Sequence, residues 1–310
     1  AYMHKFGYER YFSPLGCAAL ILSLSGCPEW VRDAWAHPPA TTPPPPAAGS
    51  GGTAQGDPSQ PRLPAAPARC PMLATGVVEL RGVNVQLWVG DAQPNHRSPL
   101  LVYWHGTGSS PSEAQRLLGP ALDEIVAEGG TVAAVEQSRG LGTETLNGTW
   151  TQGDFAIVDE LVACAASQRA LDTTRIYSAG CSAGAVQAGA LAYGRSNYVA
   201  SVMMNSGGTV KPLELQDPRR VPAVIAAHGA PDSDVVVVRF ADATADYAED
   251  LVAKGGFAVV CGHSGGHCAA PPELLKSQWE FLKAHPYGVE PEPYAAGLPA
   301  GFPAYCQIAK

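Results

Sequence analysis

The sequence predicts an α/β fold in which a mostly parallel sheet is covered by helices on both faces. From about residue 76 onward, short apolar segments alternate with longer amphipathic or small-residue segments, which indicates strands alternating with helices. The 310 residues are 46% hydrophobic and 15% charged, enough for one large core. A Gly-x-Ser-x-Gly motif, Gly180–Gly184, lies between a predicted strand and a predicted helix.

The order of the elements follows from their periodicity. The alternating segments Gly76–Leu80 and Val83–Val89, joined by Arg81-Gly82, predict a hairpin. Further strands are predicted at Pro99–Trp104, Thr131–Val135, Thr174–Ser178, Ala200–Met204, Val221–Ala227 and Phe257–Val260. Helices are predicted at Ser112–Glu128, Asp154–Arg169, Ala183–Tyr193, Ala241–Lys254 and Pro272–Ala284. The Pro- and Gly-rich segment Pro286–Lys310 is predicted to wrap the surface.

Residues 1–27 have the pattern of an export signal. A basic start precedes a short apolar segment, Leu15–Leu24. The sequence Leu24-Ser-Gly-Cys27 resembles the bacterial lipobox, in which cleavage precedes a cysteine that becomes lipidated. We therefore expect export to the cell envelope with Cys27 as the lipid anchor. An ordinary secretory signal with an incidental Cys27 is the alternative.

A linker is predicted over residues 28–71, before a catalytic domain over 72–310. From Pro38 to Pro71 it is rich in Pro, Gly and Ala, a composition that stays extended and cannot build a core, so we expect disorder. The net charge of −8 argues against a nucleic-acid or anionic-membrane partner bound through a basic patch. No 18-residue apolar run follows the N-terminal region, so no internal transmembrane helix is expected.

Ser182 is the predicted nucleophile. A serine on a sharp turn between a strand and a helix presents its hydroxyl at the edge of the sheet, and the flanking glycines avoid steric clashes in so tight a turn. A serine hydroxyl is a weak nucleophile unless a histidine removes its proton, and that histidine needs an acid to orient it. With this motif, the acid and the histidine follow downstream, each in a loop after a strand.

Two acids and two histidines occupy the expected loops. The loop after the next-to-last predicted strand contains Asp232 and Asp234. The spacing from His228-Gly229 favours Asp232, and Asp234 stays open. The loop after the last predicted strand contains His263 and His267. We favour His267, because two glycines precede it and a helix follows, which places it on an exposed loop.

The oxyanion of an acyl-transfer intermediate needs two backbone N–H donors. Ala183, directly after the nucleophile, is predicted to supply one. Thr107, in the loop His105-Gly-Thr-Gly108 after an early strand, is predicted to supply the other.

Trp150, in a long loop, is predicted to line the substrate site by stacking. The equally open alternative is that Trp150 packs its loop onto the domain.

Six cysteines outside the signal region predict disulfides. Cys181 precedes Ser182 and Cys268 follows His267, so a hydrogen bond between Ser182 and His267 would bring these two cysteines within bridging distance. The remaining four, Cys70, Cys164, Cys261 and Cys306, are not assigned by this argument. Cys70–Cys306 is expected because both lie at domain ends.

A zinc site is the competing interpretation of the last loop. Cys261, His263, His267 and Cys268 are residue types that bind zinc. Their spacing is not that of a standard zinc finger, and export to an oxidising compartment disfavours free thiols. We therefore expect no metal.

Four motifs together resemble the secreted polyhydroxybutyrate depolymerase and feruloyl esterase group of α/β-hydrolases. They are Gly180-Cys-Ser-Ala-Gly184, His105-Gly-Thr-Gly108, His228-Gly-x-x-Asp232 and Gly265-Gly-His-Cys268, within Thr75–Ala284. The resemblance implies an α/β-hydrolase fold and ester hydrolysis through an acyl-enzyme without a cofactor. The order Cys-Ser, Asp, His-Cys is also similar to that of tannases and fungal feruloyl esterases, where the two cysteines are bridged. No clear lid insertion is present, which implies an open site.

The function that follows is an exported serine esterase acting on bulky or polymeric esters, such as feruloyl or acetyl polysaccharide esters or polyesters. A serine peptidase or acyltransferase on the same fold is an alternative, because fold and triad are shared by these activities. A catalytically inactive surface-binding lipoprotein is a second alternative, against which the complete triad argues.

Overall fold

One nine-stranded sheet carries the predicted site residues of this chain. The computed structural model describes residues 57, 59–145, 148–209, 213–236 and 238–310. The predicted signal peptide, Cys27 and the first part of the predicted linker lie outside these residues. The strands are β1 (Gly76–Leu80), β2 (Val83–Val89), β3 (Ser98–Trp104), β4 (Thr131–Val135), β5 (Leu171–Cys181), β6 (Ser201–Asn205), β7 (Ala223–His228), β8 (Ala258–Gly262) and β9 (Cys306–Ile308).

Six helices of the described residues flank the sheet. They are α1 (Glu113–Leu118), α2 (Pro120–Ala127), α3 (Phe155–Gln168), α4 (Ala183–Gly194), α5 (Phe240–Ala253) and α6 (Pro272–Ala284), with a short 3₁₀ helix at Gln152–Asp154. None of them combines the length and the apolar character needed to cross a bilayer. The predicted helix Ser112–Glu128 is divided into α1 and α2, because Gly119 has a φ of 51° and Pro120 begins a new helix.

The sheet is mostly parallel, as the alternating pattern predicts. The strand order is β1-β2-β4-β3-β5-β6-β7-β8-β9. The six strands from β4 to β8 in this order pair in parallel, and β1, β2 and β9 add antiparallel edges. Every residue of β3 is buried, and its successive side chains pack alternately into the two cores, with Leu101 and Tyr103 on one face and Val102 and Trp104 on the other.

The domain begins earlier than the predicted boundary at residue 72. Arg62 forms an ion pair with Asp217, and its backbone N–H donates to Asn197 O at 2.8 Å. Leu63 packs against the core, and Cys70 is bridged to α3. The end of the predicted linker is therefore part of the folded domain, because an arginine, an apolar side chain and a cysteine in it find partners there.

The C-terminal segment does more than wrap the surface. Its strand β9 pairs antiparallel with β8 and sets Cys306 directly opposite Cys261, and these two cysteines form a disulfide. Cys70 is bridged to Cys164 instead. The expected Cys70–Cys306 pairing is therefore wrong, because the strand register commits Cys306 to the edge of the sheet.

The Cys70–Cys164 bridge closes a loop of 94 residues and ties the segment before β1 to α3. Replacing both cysteines by alanine is expected to lower the free energy of unfolding by about 2–4 kcal/mol, since the unfolded chain gains conformational freedom. Urea denaturation of the wild-type and double-variant proteins measures this difference. Peptide mapping without reduction that joins Cys70 to Cys306 would contradict the assignment.

Candidate active site

Ser182 lies on a strained turn between β5 and α4. Its backbone dihedrals are φ 56° and ψ −125°, a conformation that residues other than glycine rarely adopt. A Cβ on Gly180 would lie 2.4 Å from the carbonyl of Gly184, and a Cβ on Gly184 would lie 1.8 Å from Trp104 O. Both glycines of the motif are therefore required, because the helix begins in direct contact with the preceding strands.

His267 is oriented by a buried carboxylate. Its Nδ1–H donates to Asp234 Oδ1 at 2.7 Å, and the Asp234 side chain is 0% exposed. The other oxygen of Asp234 accepts from Gly229 N at 2.7 Å and from Ser206 Oγ at 2.9 Å. Burial alone would raise the pKa of Asp234, but the hydrogen bonds from His267, Gly229 and Ser206 outweigh it, and the pKa lies below its ordinary value.

The choice of Asp232 over Asp234 is wrong in this structure. After β7 the chain forms a single turn in which Ser233 N and Asp234 N both donate to Ala230 O at 2.9 Å. This turn directs Asp234 inward and leaves Asp232 exposed. Spacing alone could not separate the two aspartates, since they differ by two residues within one turn.

Ser206 is a site residue that the sequence analysis missed. It follows β6 directly, is buried, and has a left-handed φ of 50°. Its hydroxyl donates to Asp234 and accepts the N–H of Cys268 at 2.8 Å, so it connects the acid to the residue after His267. Its position at the carboxyl end of a parallel strand, where such sites assemble, was the available signal.

His263 has a structural role in the same loop. Gly265 N donates to its Nδ1 at 3.1 Å, and burial, with the nearby His228, lowers its pKa, which suits a neutral acceptor. The zinc interpretation does not fit these residues, because Cys261 and Cys268 are both in disulfides and His267 is bonded to Asp234.

A disulfide joins the turn that holds Ser182 to the loop that holds His267. Cys181 is bridged to Cys268, and their Cα atoms lie 5.8 Å apart. Ser182 and His267 are therefore each one residue from the same covalent link. Within the described residues, Ser182 Oγ and His267 Nε2 make no hydrogen bond to each other or to another group. Hydrogen bonds between catalytic groups are often long or poorly aligned before substrate binds, so the lack of one here is compatible with proton transfer.

The loop after β3, His105–Gly108, lies against Ser182. It is called the oxyanion loop below, after the role predicted for Thr107. A Cβ placed on Gly106 would be 3.4 Å from Ser182 Cβ, so the backbone of this loop approaches the serine directly. Thr107 Oγ1 is hydrogen-bonded to Thr149 Oγ1 at 2.6 Å. Ala183 is the first residue of α4, immediately after Ser182. Ala183 is thus adjacent to the serine in the chain, and Gly106, the residue before Thr107, is adjacent to it in space.

Trp150 does not line an open substrate site. Its side chain is 0% exposed, and its indole N–H donates to His105 O at 3.0 Å. Its ring packs edge-on against Trp104 and His105, with centroids 5.1 Å away in each case. The prediction of substrate stacking is wrong. Trp150 instead packs its loop onto the domain and holds the oxyanion loop through its contacts with His105.

Comparison with solved structures identifies the fold. Native pOPH superimposes with a TM-score of 0.60 at 18% identity, covering 79% of this chain and 96% of that one. Native sOPH gives 0.57 at 16% identity over 79% and 97%. The carboxylesterase of Bacillus cereus gives 0.50 at 18% identity over 66% and 94%. These neighbours are α/β-hydrolases, and this chain has the α/β-hydrolase fold. No protein-family model and no curated protein matches the sequence.

The lowered pKa of Asp234 predicts a pH-dependent contribution to stability. Because the folded-state pKa is below the ordinary value of about 3.9, the carboxylate stabilises the fold above that pH and loses this effect as the pH falls through the folded-state value. Asp234→Asn is therefore expected to destabilise the protein more at pH 6 than at pH 3, as measured by chemical denaturation. The exposed Asp232→Asn is the matched control. An equal loss at both pH values for Asp234→Asn would contradict the expectation.

Proposed function

We propose that this chain is a serine hydrolase of carboxylic esters. The observation that carries the proposal is the Asp234–His267 hydrogen bond of 2.7 Å, covalently linked through Cys181–Cys268 to a serine on a strained strand-to-helix turn. A buried acid, an imidazole that it orients and a nearby serine hydroxyl are the parts that acyl transfer requires. The solved carboxylesterase of the same fold supports the choice of ester bonds.

The first half of the proposed reaction forms an acyl-enzyme. Ser182 Oγ attacks the ester carbonyl carbon while His267 Nε2 takes the hydroxyl proton. Asp234 keeps Nδ1 protonated and stabilises the imidazolium that forms. When the tetrahedral intermediate collapses, the bond to the alcohol oxygen breaks, and His267 returns the proton to that oxygen.

The second half releases the acid. A water molecule gives its proton to His267 and attacks the acyl carbon, and the bond to Ser182 Oγ breaks as His267 returns the proton to the serine. In both tetrahedral intermediates, the N–H groups of Ala183 and Thr107 are assigned to the oxyanion. Over the whole cycle, one ester and one water molecule are converted to an alcohol and an acid, and Ser182 and His267 return to their starting protonation states.

The proposed substrates are bulky or polymeric esters outside the cytoplasm. Between Ser182 and Asp234 the described residues form α4, β6, β7 and loops without an inserted helical lid, which supports an open site. Three disulfides support an oxidising compartment. Export by the N-terminal signal and anchoring through Cys27 complete the proposal. Parallel assays with feruloyl and acetyl polysaccharide esters, hydroxyalkanoate polyester and aromatic polyester choose among the substrates.

The test is covalent labelling combined with ester turnover. A fluorophosphonate is expected to label Ser182 in the wild type and not in Ser182→Ala. Asp234→Asn is expected to lower kcat/KM for p-nitrophenyl butyrate by about 10⁴-fold, since the histidine loses its oriented tautomer. Asp232→Asn, which removes an exposed carboxylate two residues away, is expected to leave kcat/KM within about twofold.

Three outcomes would contradict the proposal. Labelling of a different residue, or none in a folded and oxidised sample, would remove the serine-hydrolase mechanism. Faster cleavage of peptide amides than of matched esters would favour a peptidase. Transfer of the acyl group to an added alcohol in preference to water would favour an acyltransferase.

A further inference from the structure

The buried carboxylate of Glu113 is hydrogen-bonded to the oxyanion loop. Glu113, in the first turn of α1, is 9% exposed. Its Oε1 accepts the N–H of Gly106 at 3.1 Å and the hydroxyl of Tyr103 at 2.8 Å. None of the ion pairs formed by the described residues includes Glu113. Burying a carboxylate is costly, and here the partners that offset this cost are neutral donors next to the nucleophile.

The carbonyl of Gly106 is hydrogen-bonded as well as its N–H. Gly106 O accepts from Ser109 N at 3.0 Å, and the ring of His105 lies between two carbonyl oxygens, with Nδ1 2.8 Å from Gly106 O and Nε2 2.9 Å from Glu136 O. The peptide between Gly106 and Thr107 is planar, so the direction of its carbonyl determines the opposite direction of the Thr107 N–H. The Thr107 side chain is tied separately to Thr149. The orientation of the proposed oxyanion donor is thus determined by bonds made through Gly106.

The same bonds decide which N–H of the loop can serve an oxyanion. Gly106 N–H is already donated to Glu113, so it is not available to the substrate. The next N–H along the chain is that of Thr107. Tyr103 stays a donor to Glu113, because burial, with the charge of Glu113, raises the pKa of its hydroxyl well above the ordinary value. The carboxylate therefore accepts from two protonated groups at once.

We propose that Glu113 is a positioning residue for the oxyanion hole. It fixes the peptide before Gly106 by accepting the Gly106 N–H, while Ser109 N–H fixes the peptide after Gly106 through its carbonyl, and together they direct Thr107 N–H toward the developing negative charge. The inference rests on the proposed ester hydrolysis and deepens it, since it names the group that sets the geometry of one oxyanion donor. It predicts that kcat depends on a side chain at residue 113 that is long enough to place an oxygen acceptor at Gly106 N–H, and not on the negative charge of that side chain.

Three variants separate reach from charge. Glu113→Gln keeps an oxygen acceptor at the same length, Glu113→Asp keeps the charge but shortens the side chain by one methylene, and Glu113→Met fills the space without an oxygen acceptor. Aspartate and methionine are expected to lower kcat for p-nitrophenyl butyrate by about 10²-fold with KM changed by less than about threefold, because a misdirected donor affects only the transition state. Glutamine is expected to restore kcat to within about threefold.

A second readout distinguishes positioning from folding. An alkylboronic acid forms a tetrahedral adduct with the serine, and its affinity is expected to fall in proportion to kcat/KM across the three variants. The matched control is Asp159→Asn. Asp159 accepts from the Tyr198 hydroxyl at 2.8 Å, which repeats the tyrosine–carboxylate pair, and it also accepts from Arg195. Both donors lie outside the oxyanion loop. This control is expected to lower Tm without changing kcat or boronate affinity.

The outcomes are separable. An active wild type in which Glu113→Asp and Glu113→Met keep full kcat and boronate affinity would overturn the inference and leave the esterase proposal standing. Glu113→Gln as impaired as Glu113→Met would also overturn it, since charge rather than reach would then matter. Should Glu113→Met fail to fold, the aspartate variant and the glutamine variant decide alone. A wild type without ester turnover or fluorophosphonate labelling would overturn the proposed function, and the inference with it.

Discussion

The closeness of α4 to the strands beside it is the constraint on which the site depends. Gly184 packs so tightly on Trp104 O that no side chain fits there, and the turn that brings the helix this close to the strand has Ser182 in a strained conformation. The strain is maintained by the burial of β3, β5 and α4 around the turn. A serine in this conformation cannot relax without separating the helix from the sheet, so the direction of its hydroxyl is set by the core.

Around this turn, the site is assembled by links between the ends of neighbouring strands. Ser206, after β6, bonds to Asp234, after β7, and to Cys268, after β8, while Cys268 is bridged to the end of β5. Each link joins two loops, so the four strand ends behave as one network of hydrogen bonds and a covalent bond. The acid is oriented from three directions, by Gly229, Ser206 and His267, which explains how a buried carboxylate stays ionised.

The parts of this arrangement that depend on local pattern could be predicted from sequence. The hairpin, the buried strands and the serine turn follow from periodicity and from two glycines, and they are as predicted in the structure. The choice between Asp232 and Asp234 could not be made, because it depends on the hydrogen bonds of one turn. The two alternatives for Trp150, stacking on substrate and packing its loop, could not be separated, because sequence does not show whether an indole is buried.

Contacts between residues far apart in the chain could not be predicted from sequence either. Cys306 is paired with Cys261 by the register of a three-residue strand that has no periodic signal. Ser206 and Glu113 carry no motif, and only the structure shows that one bonds to the acid and the other to Gly106. Each also accepts a backbone N–H, that of Cys268 for Ser206 and that of Gly106 for Glu113, and a backbone donor leaves no trace in the identity of its residue.

The bridged strand β9 has a consequence for how this molecule behaves among its own copies. Without β9, the backbone donors and acceptors along one side of β8 would be open, and an uncovered edge of a sheet is a template on which another chain can add a strand. The Cys261–Cys306 bond makes the cover permanent in its oxidised state. Resistance to self-association at this edge is therefore tied to the redox conditions around the protein, independently of the chemistry at Ser182.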